Sequence, residues 1–139
     1  VRADAADLPY EGNSVEAIMS WHMIEHLAPK HFAAALKEWR RVLIPGGRLE
    51  IRCPNIECYL RLWLAGDDGL RFGEGLHWLA GSPDKGDGHL NRNFFTPGHL
   101  RRAVEGAGFI VERCTTHPTR SGHLADGDCL CIAHKPEET

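Results

Sequence analysis

A short apolar run, Val15–Trp21 (VEAIMSW), stands just upstream of a helix signature that opens at Pro29, and this succession limits the fold most. The run is partly β-branched and bounded by polar residues, which suits a buried strand. Pro29 is at home in the first turn of a helix, where its missing N–H is not needed. Phe32, Leu36, Trp39 and Leu43 then recur at helical spacing and make one apolar face, with Lys37, Glu38, Arg40 and Arg41 mostly on the other. Pro45-Gly46-Gly47 is expected to stop that helix and turn the chain. Arg48–Cys53 (RLEIRC) alternates polar and apolar residues as a strand does. Asn55 is the expected cap of a following helix that runs through Leu64 and buries Ile56, Leu60, Trp63 and Leu64. Thr96-Pro97 supplies a cap and a first-turn proline for a helix through Ala107, with Gly108 as its left-handed terminator. Phe109–Cys114 and Cys129–Ala133 are the last two strands. Such alternation predicts an α/β layer with a mainly parallel sheet, closed by an antiparallel edge hairpin.

Length and charge narrow the function. The 139 residues, 42% hydrophobic and 25% charged, fit one domain with a substantial core. A formal net charge of -3 gives no basic excess, so no nucleic-acid partner is expected. No apolar run approaches the roughly 18 residues of a membrane span, and no signal peptide opens the chain. The five cysteines, Cys53, Cys58, Cys114, Cys129 and Cys131, are odd in number and contain no C-x-x-C. They read as reduced thiols of a cytoplasmic protein. Residues 66–95 hold seven glycines among scattered charges, histidines and aromatics, without periodicity. A loop of that length is expected to be functional, and it is read as a glycine-rich insertion beside a substrate cleft. Its Phe72, His77 and Trp78, with nearby Trp63, would stack on a substrate or form a small satellite core.

Four segments in order resemble class I S-adenosylmethionine (SAM) methyltransferases. They are Asp4-Ala5-Ala6-Asp7-Leu8-Pro9-Tyr10, Val15–Leu27 with its Glu25-His26-Leu27 ending, Arg41–Gly47 (RVLIPGG), and Phe94–Phe109 with its Ala107-Gly108-Phe109 close. The resemblance implies a Rossmann-like sheet with its site at the carboxyl ends of the parallel strands. It implies that Asp4 accepts from the adenine amino group, that the Ala5 N–H meets a ring nitrogen, and that Ser20 and Trp21 line the methionine end of SAM. The family's opening strand, G-x-G-x-G loop and ribose-binding acid have no counterpart before Asp4. With Val1 where a start methionine would stand, the chain is expected to be an N-terminally truncated piece holding half of the SAM site. His22 and His26 are the candidate bases, because imidazole titrates near neutrality. His89, Asn91 and Arg92 are the candidate acceptor contacts. Cys53-Pro54-Asn55-Ile56-Glu57, the long loop and the His89–Phe95 stretch resemble a bacterial subgroup associated with surface polysaccharides, which implies a sugar or other small-molecule acceptor.

Two other classes compete. His22-Met23-Ile24-Glu25-His26 spells H-x-x-E-H, and on a helix His22, Glu25 and His26 would share a face suited to zinc. That spelling also belongs to the inverted zinc-peptidase motif. With His89 the set resembles, loosely, that of metal-dependent small-RNA methyltransferases; no metal is assigned. The second alternative is a non-catalytic interaction module of the same fold. A strand Val15–Trp21 without its usual neighbour exposes an apolar edge, and a homodimer through that edge, or cover by the chain's own N-terminus, is expected.

Overall fold

In the computed structural model, residues 2–66, 80–81 and 85–137 are described. The elements are β1 (Val15–Trp21), a 3₁₀ turn (Ile24–His26), α1 (Pro29–Val42), β2 (Leu43–Pro54), α2 (Ile56–Ala65), a second 3₁₀ turn (Asp87–His89), α3 (Pro97–Gly106), β3 (Ile110–His117) and β4 (Asp128–His134). The strands form one sheet in the order β1-β2-β4-β3. β1 and β2 are parallel, while β4 runs antiparallel to both β2 and β3. Three strands therefore point one way, but β1–β2 is the one parallel pairing between these four strands. The terminal hairpin is antiparallel, as the missing helix between its strands demands.

The core lies on one face of this sheet. Leu49, Ile51 and Cys53 of β2 and Cys129, Cys131 and Ala133 of β4 alternate toward it, and α1 and α3 cover it with Phe32, Leu36, Trp39, Leu100 and Val104. Thr96 caps α3 by accepting from the His99 N–H at 3.2 Å, and Gly108 follows the helix at φ +88°.

Two local expectations are corrected. Pro45-Gly46-Gly47 does not separate α1 from the strand: α1 ends at Val42 and β2 begins at once with Leu43. The three residues form a bulge inside β2, between the pairings Val15–Leu43 and Ala17–Arg48. Their peptide groups stay paired because Gly46 N–H donates to Lys135 O and Lys135 N–H donates to Gly47 O. Gly46 adopts φ +73°, which a side chain would oppose.

The second concerns α2. Asn55 stands at its N-cap without a side-chain capping bond; its Nδ2 donates to Asp126 O at 3.0 Å instead. The expected stripe is also rotated. Cys58 and Tyr59 are buried, whereas Leu60 is 47% and Leu64 80% exposed. Asp126, in the loop before β4, accepts from Cys58 Sγ at 3.2 Å and Arg61 at 2.8 Å. Polar anchoring to that loop, rather than apolar spacing, sets which side of α2 faces inward.

β1 ends the sheet, and no described residue pairs with its outer side. Met19 and Trp21 project from the face opposite the core and are 61% and 53% exposed. The N-terminal segment lies on α1 instead. Trp39 Nε1 donates to Ala5 O at 2.9 Å, and Leu8 N–H donates to Glu38 at 2.9 Å. Arg41 and the Leu8 N–H hold the Glu38 carboxyl down to about 2, so this charge is a clasp for the N-terminus.

Candidate functional site

The carboxyl ends of β1 and β2 carry a cluster of polar side chains, His22, Glu25, Arg52 and Asp128. His22 follows β1 and stays on the ladder, its N–H donating to Arg52 O at 2.8 Å. Its φ of +50° then turns the chain out of the sheet, an uncommon conformation for a residue with a side chain. Asp128, the first residue of β4, is fully buried. Its Oδ2 accepts from both His22 Nε2 at 3.1 Å and Arg52 Nε at 2.8 Å. Glu25 Oε1 stands 3.6 Å from His22 Nδ1. Asp128 and then Glu25, as partners to the ring, push the His22 imidazole up to about 9. His22 is thus a cation near neutrality and cannot accept a proton there.

His26 has a different environment. Its Nδ1 lies 3.1 Å from Leu90 O, and a carbonyl only accepts, so Nδ1 carries the proton in the neutral ring. Nε2 keeps a lone pair. The His89 ring stands edge-on to it at 6.1 Å between centroids. The Glu25 carbonyl accepts from Arg92 N–H at 2.7 Å and Asn93 N–H at 3.1 Å, which pins residues 87–93 against the histidine turn. Gly81 is held at φ +85° beneath the same segment, and a Cβ there would run into the His89 carbonyl. Arg92 bends back to donate to Asp87 O at 2.9 Å.

The sequence-derived candidates therefore divide. His22, His26, His89, Asn91 and Arg92 are drawn to one end of the sheet. Ser20 and Trp21 are adjacent on a strand and point to opposite faces. The Ser20 hydroxyl is buried without a partner, while the Trp21 ring is half exposed. Asp4 is exposed; its Oδ1 accepts from Ala6 N–H at 2.8 Å and from His31 at 3.0 Å. The Ala6 N–H and then His31 hold its carboxyl below the ordinary carboxylate value. His31 sits in the first turn of α1, which places Asp4 at the same end of the sheet as the histidines.

The helical face proposed for His22, Glu25 and His26 does not form. His22 is left-handed and Ile24–His26 is a single 3₁₀ turn, so the three side chains do not line up at i, i+3 and i+4. Among the described residues no group of three or more His, Cys, Asp or Glu is arranged to hold a metal ion. Of the loop aromatics, Phe72, His77 and Trp78 lie outside the described residues, as does much of 66–95. No described helix is long and apolar enough to cross a membrane.

Sequence reading missed Arg52 and Asp128. Arg52 is one polar position of the alternating run Arg48–Cys53, and Asp128 only precedes the apolar run Cys129–Ala133, so neither carries a signal of its own in sequence. Nothing in the chain order links Asp128 to His22.

Residues 1–51 match the family model described as a methyltransferase domain. Among solved structures, a SAM-dependent methyltransferase from Methanosarcina mazei superposes with a TM-score of 0.65 at 21% identity, over 98% of this chain and 66% of its own. The fold is that of the SAM-dependent methyltransferases. The 1,6-didemethyltoxoflavin-N1-methyltransferase of Burkholderia thailandensis, solved with S-adenosylhomocysteine, is similar at a TM-score of 0.64 and 17% identity, over 99% of this chain and 50% of its own. The [4+2]-cyclase SpnF shares the fold at a TM-score of 0.63 and 18% identity, over 98% and 55%. This chain thus spans 50 to 66% of the length of these three proteins. No curated protein matches its sequence. A cyclase on this fold shows that the methyltransferase architecture alone does not set the chemistry.

The His22–Asp128 pair makes this end of the fold sensitive to pH. A pKa raised in the folded state stabilises fully below the ordinary histidine value of 6.5, and that contribution is lost as pH rises through about 9. Asparagine is the test replacement because it tolerates a positive φ. His22→Asn is expected to cost about 1 to 2 kcal/mol below pH 6.5, discounted because the ring is one-third exposed. Above pH 9 the variant and the parent should converge in urea titrations; an equal gap at both pH values would contradict the pairing.

Proposed function

We propose that this chain is the acceptor-side part of a cytoplasmic, single-domain SAM-dependent methyltransferase acting on a sugar or other small molecule. The rest of the SAM site would then be carried by sequence outside it. The observation that supports this most is His26. It sits at the carboxyl end of a parallel strand, where open α/β sheets hold their ligands. The Leu90 carbonyl selects the tautomer that leaves Nε2 basic. His26 then takes the proton of the acceptor, while His22, already protonated, adds positive charge and holds the turn.

The residues present fit the adenine end of SAM. Asp4 is an ionised, exposed carboxylate suited to accept from an exocyclic amine, and the adjacent Ala5 N–H donates to no described group. Bound SAM supplies an activated methyl on a sulfonium leaving group. The chain's own residues align the acceptor, exclude water and receive the proton. His89, Asn91 and Arg92 contact the acceptor, and Ser20 and Trp21 flank the methionine end of the cofactor.

Titration calorimetry with S-adenosylhomocysteine tests this on two proteins, the present chain and a version extended upstream in its gene. Binding by the extended protein, weakened about tenfold or more by Asp4→Ala, is expected from loss of a charge-assisted bond. A folded extended protein with no heat of binding would instead favour an interaction module. The β1 edge, unpaired among the described residues, with exposed Met19 and Trp21 supports that second reading. It takes a second copy of the chain at Val15–Trp21, and sedimentation of the present chain should then report a dimer that Ala17→Pro abolishes.

A further inference from the structure

Four of the five cysteines lie in one row on the core face of the sheet. Cys53 of β2 stands opposite Cys129 of β4, and Cys131 of β4 stands opposite Cys114 of β3. All are free thiols. Directly opposed residues of antiparallel strands have Cα atoms about 4.5 to 5.5 Å apart, inside the span of about 4.4 to 6.8 Å that a disulfide bridges. Register alone thus prepares two bridges, and accessibility separates them. Cys53 and Cys129 are both fully buried in the centre of the sheet. Cys114 lies on the edge strand β3, is partly exposed, and faces the start of α3, its Sγ donating to Pro97 O at 3.2 Å.

We propose that Cys114 and Cys131 form a peroxide-sensitive dithiol that closes to a cross-strand disulfide, with Cys114 as the attacking thiol and Cys131 as the resolving one.

The microenvironment suits these roles. The Cys131 thiol, its cross-strand neighbour, and the Arg101 charge lower the Cys114 pKa against the cost of burial. Cys131 is raised by the neighbouring Cys114 and by burial. The thiolate is the nucleophile in thiol oxidation, so the easier proton loss falls on the more accessible sulfur. Cys53 is pushed well up by Cys129 and by burial. The Cys58 thiol, pushed up to about 11 by burial and Asp126, is buried on the inner side of α2. Neither competes.

The chemistry balances with hydrogen peroxide as oxidant. The Cys114 sulfur attacks one peroxide oxygen, the O–O bond breaks, and sulfenic acid and water are produced. The Cys131 sulfur then attacks the Cys114 sulfur, the S–O bond breaks, and a second water leaves. Two thiols are oxidised by two electrons, and one peroxide is reduced. Closure withdraws the Cys114 contact from Pro97 at the first turn of α3, and a dithiol reductant reverses it.

The test is thiol counting and peptide mapping of the native chain after stoichiometric peroxide. Two of the five thiols should be lost, intact mass should fall by two hydrogens, and cleavage after Leu130 should place the bridge between Cys114 and Cys131. Cys114→Ser should retain its four thiols under the same exposure. Cys131→Ala should stop at a Cys114 sulfenic acid trapped by dimedone, which keeps the proposal testable if the serine variant misfolds. The inference is overturned if all five thiols survive peroxide that oxidises free glutathione, if Cys53–Cys129 closes first, or if Cys114→Ser still loses two thiols.

Discussion

Replacing Asp128 by alanine is expected to cost about 3 to 5 kcal/mol of folding stability, the range seen when one partner of a buried ion pair is removed. Asp128 is fully buried, and one of its oxygens serves two cations from different strands, His22 and Arg52. Its loss strands the Arg52 guanidinium, which is only 15% exposed, and removes the main partner that keeps the His22 imidazole charged. The cluster as a whole need not outdo a well-packed apolar one; the cost lies in leaving charge without its counter-charge. Asp128→Asn keeps the volume and one acceptor, so the difference between the two variants isolates the lost bonds from the lost charge. Urea midpoints at constant m-value read both. A shift below about 1 kcal/mol for the alanine variant would show that water reaches the cluster and screens it.

Trp39→Ala is expected to be comparably damaging, at about 3 to 5 kcal/mol for truncation of a buried aromatic. Trp39 is 2% exposed within the core shared by α1, α3 and the sheet. It also donates to the Ala5 carbonyl and so ties the N-terminal segment to α1. Trp39→Phe retains most of the apolar packing and removes this bond, for about 1 kcal/mol. The phenylalanine variant should nonetheless let residues 4–8 exchange amide hydrogens faster, because their remaining clasps are Glu38, Arg41 and His31. Unchanged protection of Ala6 and Leu8 would mean that those clasps suffice. The experiment joins stability to function, since the same segment presents Asp4 and Ala5 to the proposed adenine position.

The candidate site was only partly legible. In sequence His22 and His26 are equal candidates for the base, because imidazole titrates near neutrality. Their difference comes from partners that chain order does not reveal. Asp128 lies 106 residues from His22, and Leu90 lies 64 residues from His26. One partner is a carboxylate and holds a proton on; the other is a carbonyl and fixes a tautomer. The zinc-like spelling His22–His26 failed for a local reason, since a left-handed residue and a 3₁₀ turn break the helical periodicity that the motif needs.

Periodicity and capping chemistry by themselves determined the extent of β1, the core face of α1, the capped start of α3 and the closing hairpin, because each depends on residues close in the chain. The expected burial of β1 is corrected, since as an edge strand it leaves Met19 and Trp21 exposed. The order of segments likewise pointed to an α/β sheet of the methyltransferase type. Tertiary structure alone decided which way α2 turns, that Pro45-Gly46-Gly47 bulges within a strand, and which cysteines face one another. It also decided that Asp128 holds a proton on His22. Those outcomes depend on groups far apart in sequence that share a few ångströms of low-dielectric space, where one carboxylate or one carbonyl outweighs any local preference.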